Sequence, residues 1–163
     1  MRLQLLKLLL AVCVLCAQST STAQPTKEPS MTRIATGEFV VKLQPLGVEG
    51  QDRIQDSKFG RMSIDKTISG GLVATTVGQM LTAMTEVKGS AGYVAIEKVD
   101  GVLDGKKGSF ALQHTGTMNR GAPSLLVTVV PDSGTNELVG LAGGFKIIIA
   151  GGKHSYEFKY TLP

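Results

Sequence analysis

Four stretches of the chain alternate apolar and polar side chains with a period of two. Phe39, Val41 and Leu43 share one face, with Glu38 and Lys42 on the other; Met62, Ile64 and Ile68 oppose Arg61, Ser63, Asp65 and Thr67. Phe110 and Leu112 oppose Ser109 and Gln113, and Tyr156, Phe158, Tyr160 and Leu162 oppose Ser155, Glu157, Lys159 and Thr161. A two-residue period sends successive side chains to opposite faces of a strand, so each stretch has a core side and a wet side. Together with neighbouring runs rich in Val, Ile, Thr, Phe and Tyr, the pattern predicts eight strands: 34–43, 59–69, 72–84, 92–103, 107–117, 124–131, 143–150 and 153–162. Helices have little room. All 20 glycines fall between Gly37 and Gly152, with at most a dozen residues between successive ones, and a glycine inside a helix costs about 1 kcal/mol relative to alanine.

Turn residues punctuate these runs. Gly70-Gly71, Lys88-Gly89-Ser90, Asp104-Gly105, Asn119-Arg120-Gly121, Asp132-Ser133-Gly134 and Gly151-Gly152 each supply the chemistry of a tight reversal. Short connections make neighbouring strands antiparallel. Eight such strands with one apolar face are expected to close into a barrel, which removes their edges; a two-sheet sandwich is the rival arrangement. The 44–57 segment is read as the one long loop.

The N-terminus has a different character. Arg2 and Lys7 precede an unbroken apolar run from Leu8 to Ala17, and Ser21-Thr22-Ala23 has the small residues of a cleavage site. The run is half the roughly 20 residues that a membrane-spanning helix needs. Residues 1–23 are therefore expected to be a cleavable signal peptide, with 24–32 a flexible linker and 33–163 the barrel domain. The chain is expected to be exported to the periplasm or medium, with no stable membrane anchor after cleavage. Lipidation has no site, because Val12 precedes Cys13 and Leu15 precedes Cys16, where a small residue is required.

Cleavage also removes both cysteines, and with them any disulfide, thiolate metal site or cysteine nucleophile. The mature chain keeps 15 of the 17 basic residues against 13 acidic ones, a net charge of +2 with the lysines scattered. That gives no basic stripe for nucleic acid.

Catalytic and cofactor motifs do not survive inspection. Gly101-Val-Leu-Asp-Gly105-Lys106 has three residues between its glycines where a phosphate-binding loop has four, and Lys107 stands where Ser or Thr belongs. Gly-x-Ser-x-Gly is absent. His114 and His154 fall on inward positions, as core histidines satisfied by hydrogen bonds or as ligand contacts. Two histidines without a carboxylate cluster do not complete a metal site, so no metal and no cofactor is expected. Glu97 lies in Tyr93-Val-Ala-Ile-Glu97-Lys-Val, a run apolar on both faces, which leaves its direction open. Inward, it is a buried carboxylate suited to acid–base work with His114; outward, it is a partner for a surface lysine. Asn119 and Arg120 are either polar ligand contacts at a barrel mouth or plain turn residues. Tyr93, His114, Asn119, Arg120 and His154 are thus the candidate ligand contacts, and Glu97 and His114 the candidate catalytic pair.

Lys58-Phe-Gly-Arg-Met-Ser-Ile-Asp-Lys66, Val87-Lys-Gly-Ser-Ala-Gly-Tyr-Val-Ala-Ile-Glu97, Gly108-Ser-Phe-Ala-Leu-Gln-His-Thr-Gly-Thr-Met118 and Lys153-His-Ser-Tyr-Glu-Phe158 form a recognisable set. From Ile34 to Pro163 the chain resembles the bacterial family catalogued as domain of unknown function 3224. The resemblance implies a small antiparallel barrel similar to that of plant allene oxide cyclase. It implies no activity, because the family has none established, and fold similarity to a cyclase is analogy alone. Three functions follow as expectations. The first is binding of a small, largely apolar molecule in the barrel. The second is an isomerase or cyclase using an interior acid–base pair, and the third a filled-core module that self-associates as a homo-oligomer through an exposed apolar face.

Overall fold

The computed structural model describes residues 30–47 and 58–163. Residues 1–23, most of the 24–32 linker and most of the 44–57 loop lie outside them. Eight strands follow in order: β1 (Thr32–Pro45), β2 (Phe59–Gly70), β3 (Leu72–Met84), β4 (Ala91–Leu103), β5 (Lys106–Asn119), β6 (Ala122–Val129), β7 (Ala142–Ala150) and β8 (Lys153–Thr161). Each pairs antiparallel with the next, and β1 returns to β8, so the sheet closes on itself. The barrel replaces the sandwich alternative.

Backbone conformation at the hairpins follows from their residues. Asp104-Gly105, Arg120-Gly121 and Gly151-Gly152 all take positive φ at both positions. Mirror-image two-residue turns demand that geometry, and their twist matches that of the strands they join. Arg120 (φ 50°) is therefore a turn residue held in the left-handed region, and its backbone N–H donates to Ser90 Oγ at 3.0 Å.

One half of the barrel is solid. Phe110 stacks on Phe158 with ring centroids 5.8 Å apart, and Phe145 stacks on Tyr156 at 4.7 Å. Leu72, Val99, Leu103 and Leu112 complete a cluster sealed from solvent. The stretch from β6 to β7, unread in the sequence beyond its turn, closes this end. A short 3-10 helix (Asn136–Leu138) sets Leu138, and Leu141 just after it, into the core. The fit is close at Gly108, where a Cβ would stand 2.3 Å from the Thr135 carbonyl oxygen. Tyr156 ties the same end from inside. Its hydroxyl donates to the Ser69 carbonyl at 3.1 Å and accepts from the Leu72 N–H at 2.9 Å, clasping the β2–β3 turn.

The wall is not evenly bonded. β4 and β5 pair along thirteen residues each, whereas β6 and β7 share one register pair, Thr128 with Gly144.

Phe110→Ala and Phe158→Ala are each expected to cost about 3–5 kcal/mol of stability in denaturant unfolding, as large-to-small changes in a packed core do. Because the two rings touch, the double variant should lose less than the sum. A loss below about 1 kcal/mol for either would contradict the packing described.

Candidate functional site

Above the solid half, the interior changes chemistry. Four consecutive strands each turn one polar side chain inward: Lys66 from β2, Thr76 from β3, Glu97 from β4 and His114 from β5. All four are buried, Glu97 completely and His114 to within 1%. Their level is set by register. Lys66 pairs with Thr76, while Glu97 faces Gly78 on one side and Leu112 on the other. The Lys66 backbone N–H donates to Thr76 Oγ1 at 2.9 Å, which fixes the start of the lysine side chain.

The three ionisable groups converge on one oxygen. Lys66 Nζ donates to Glu97 Oε2, and His114 Nε2 lies 3.0 Å from the same atom. His114 Nε2 thus has Glu97 as its neighbour, whereas His114 Nδ1 and Glu97 Oε1 are without a hydrogen-bond partner among the described residues. Buried polar atoms are rarely left unpaired, and each such atom needs an explanation. Lys66 Nζ also sits 5.7 Å from the centre of the Phe39 ring, on its face.

Burial and charge compete at this site. Burial pushes the Glu97 carboxyl upward, but the His114 ring and the Lys66 ammonium beside it outweigh that and hold it below its ordinary value of 4.5. For Lys66, burial dominates over the attraction of Glu97 and lowers the amine from its ordinary 10.5. Tyr93 is raised, first by burial and then by the Glu97 charge, and so keeps its phenolic proton.

Lys66 and His114 form part of the floor of a cavity of about 430 Å³ in the other half of the barrel. Its walls are apolar: Ile64 and Met80 low down, Met84, Met118, Leu125 and Ile149 toward the rim. Tyr93 and His154 also line it, and the His154 ring packs against Phe39 at 5.2 Å. Tyr93 has its place because the residue opposite is Gly116. A Cβ there would stand 2.2 Å from the Tyr93 ring, which lies flat along the neighbouring strand.

Of the candidate residues, the fold thus brings Tyr93, His114 and His154 to one cavity and places Glu97 directly beneath its floor. It does not bring Asn119 or Arg120 there. Both belong to the β5–β6 hairpin, exposed and outside the lining, because the turn geometry commits them to reversing the chain. Of the buried belt, Thr76 and Lys66 are not singled out by the sequence, and the more consequential is Lys66. Its signal was present, since Lys66 occupies the inward parity between Ile64 and Ile68. No group of three or more His, Cys, Asp or Glu among the described residues is placed to hold a metal.

Comparison with other proteins agrees with the fold. The family described as protein of unknown function (DUF3224) matches residues 35–160. A crystal structure at 1.84 Å of a protein with unknown function from that family, from Shewanella oneidensis MR-1, is 48% identical. It superposes with a TM-score of 0.74 over 82% of this chain and 98% of its own. No curated protein matches the chain.

Two expectations follow from the buried ion pair. Glu97→Leu alone should cost about 3–5 kcal/mol, because it strands the Lys66 charge, whereas the double variant Lys66→Met/Glu97→Leu should regain most of that in denaturant unfolding. A double variant no more stable than the single one would show that the pair is not what the loss reflects. Acid should act on the same carboxyl. A folded-state value below 4.5 means that its stabilising contribution is full above pH 4.5 and is lost as pH falls through the folded-state value. Lys66, lowered from 10.5, instead makes folding more favourable as pH rises toward 10.5. Wild type should therefore lose stability below about pH 4.5 more steeply than Glu97→Gln, measured by thermal unfolding across pH.

Proposed function

The chain belongs to the DUF3224 family, and on the geometry of its interior we propose that it binds one small, largely apolar molecule in the open half of the barrel. The observation that carries this reading is a single one: the fully buried Nδ1 of His114, without a hydrogen-bond partner among the described residues, in the floor of an otherwise apolar cavity. Binding sites for small molecules combine a mostly apolar lining with a few convergent polar groups. The volume, about 430 Å³, falls within the usual range for such sites. The apolar walls supply affinity by removing hydrocarbon from water, and the floor supplies orientation by taking one polar atom of the ligand. The signal-like segment at residues 1–23 supports a ligand met outside the cytoplasm.

A second reading, acid–base chemistry on the bound molecule, draws support from the meeting of Glu97 and His114. The carboxylate lies below the lining, so a proton would reach the ligand through His114 or Lys66 rather than from Glu97 itself.

Displacement of the fluorescent apolar probe N-phenyl-1-naphthylamine by decan-1-ol tests the binding. One site per chain is expected. Leu125→Asp at the rim, where the side chain is 43% exposed and the fold tolerates change, should weaken binding about tenfold or more, since a Leu contact is worth about 1.5–3 kcal/mol. Arg120→Ala should leave binding unchanged. An unsaturable response, or one indifferent to Leu125→Asp, would refute the proposal.

A further inference from the structure

We propose that the ligand is an aldehyde or ketone and that Lys66 captures it as a reversible imine. The inference rests on the binding reading above and names the class of molecule the floor selects. Its basis is where the lysine stands: in the floor of an apolar cavity, with its amine on a carboxylate oxygen that a histidine of the same floor also meets.

A purely structural ion pair in a barrel core is stable only when the remaining lone pairs and protons are also satisfied. Here they are not. Glu97 Oε1 and His114 Nδ1 are left over among the described residues, so the cluster keeps the capacity to take up and release protons. Other ligand heads fit it poorly. A carboxylic acid would bring a second anion to Glu97, and an amine a second cation to Lys66. An alcohol offers the amine nothing to react with. A carbonyl brings one polar oxygen, no charge and an electrophilic carbon, on a body as apolar as the cavity walls.

The step balances within the three residues. The Lys66 ammonium passes a proton to Glu97 along their hydrogen bond and becomes the free amine, a transfer that burial of both charges favours and their mutual attraction opposes. Its lone pair forms the N–C bond at the carbonyl carbon while the C=O π electrons move to oxygen. A proton shift from nitrogen to oxygen completes the carbinolamine, whose hydroxyl has His114 within the same floor as a hydrogen-bond partner. Glu97 then returns its proton to that hydroxyl, the C–O bond breaks, and water leaves. The product is a protonated imine on Lys66 beside the Glu97 carboxylate, so the ion pair is regenerated with its charge unchanged. Hydrolysis reverses each step and releases the carbonyl compound.

Reductive trapping tests the proposal on the full wild-type chain. Equimolar decanal with sodium cyanoborohydride should place a decyl group on Lys66 well ahead of every surface lysine, located by peptide mass mapping, and excess decan-1-ol should suppress it. Lys66→Arg, which keeps the charge, should lose that adduct alone, and Glu97→Gln should slow its formation. Decyl groups only on surface lysines, with decan-1-ol still displacing the naphthylamine probe, would overturn the imine and leave the binding reading standing. Failure of decan-1-ol to displace the probe would overturn both.

Discussion

The width of an eight-stranded wall governs what each inward side chain can be. Such a barrel has room for one layer of side chains at any level, so every inward position either fills the interior or borders a space. The chain uses both options in turn. Large aromatic rings and leucines fill the level around Phe110, Phe158 and Tyr156, and the Leu138–Leu141 segment seals it. Toward the other end the inward residues are shorter or lie against the wall, as Tyr93 does over Gly116, and a cavity remains. The polar belt lies between the two regimes.

That position explains how a lysine and a glutamate coexist in the interior of the barrel. Each charge alone would be costly to bury, and together they offset much of that cost. The packed half below supplies rigidity that the cavity above cannot. Thr76 holds the Lys66 backbone, β3 and β5 hold Glu97 from both sides, and the aromatic stack prevents the floor from sinking.

Much of this could be read from residue order, and the failures have physical causes. The eight strands and their antiparallel closure followed from period-two alternation and turn residues, with strand ends differing by one or two residues. Glu97 resisted because its outward neighbours Val94 and Ile96 are apolar yet more than half exposed, so parity carried no contrast. Lys66 shares the inward parity of Ile64 and Ile68, but a charge at such a position breaks the apolar–polar contrast that alternation relies on. Asn119 and Arg120 read equally as ligand contacts or as plain turn residues, and of the two it is the turn that the hairpin shows, with Arg120 and Gly121 at positive φ and neither side chain in the lining. The short 3-10 helix that plugs the solid end has no periodicity to detect, being three residues long.

The lone Thr128–Gly144 pair between β6 and β7 makes the barrel less a ring than a sheet rolled up and fastened once. The first and last strands meet elsewhere, zipped along eight residue pairs between β1 and β8. Parting at the fastening therefore leaves seven seams intact and produces an open sheet whose strand order begins at β7 and ends at β6. Its two free borders carry unsatisfied backbone groups, and one of them bears the exposed Leu125 and Leu126. Two such molecules could satisfy each other's borders by trading strands, so the same join that lets the wall yield also sets where this fold is open to exchange.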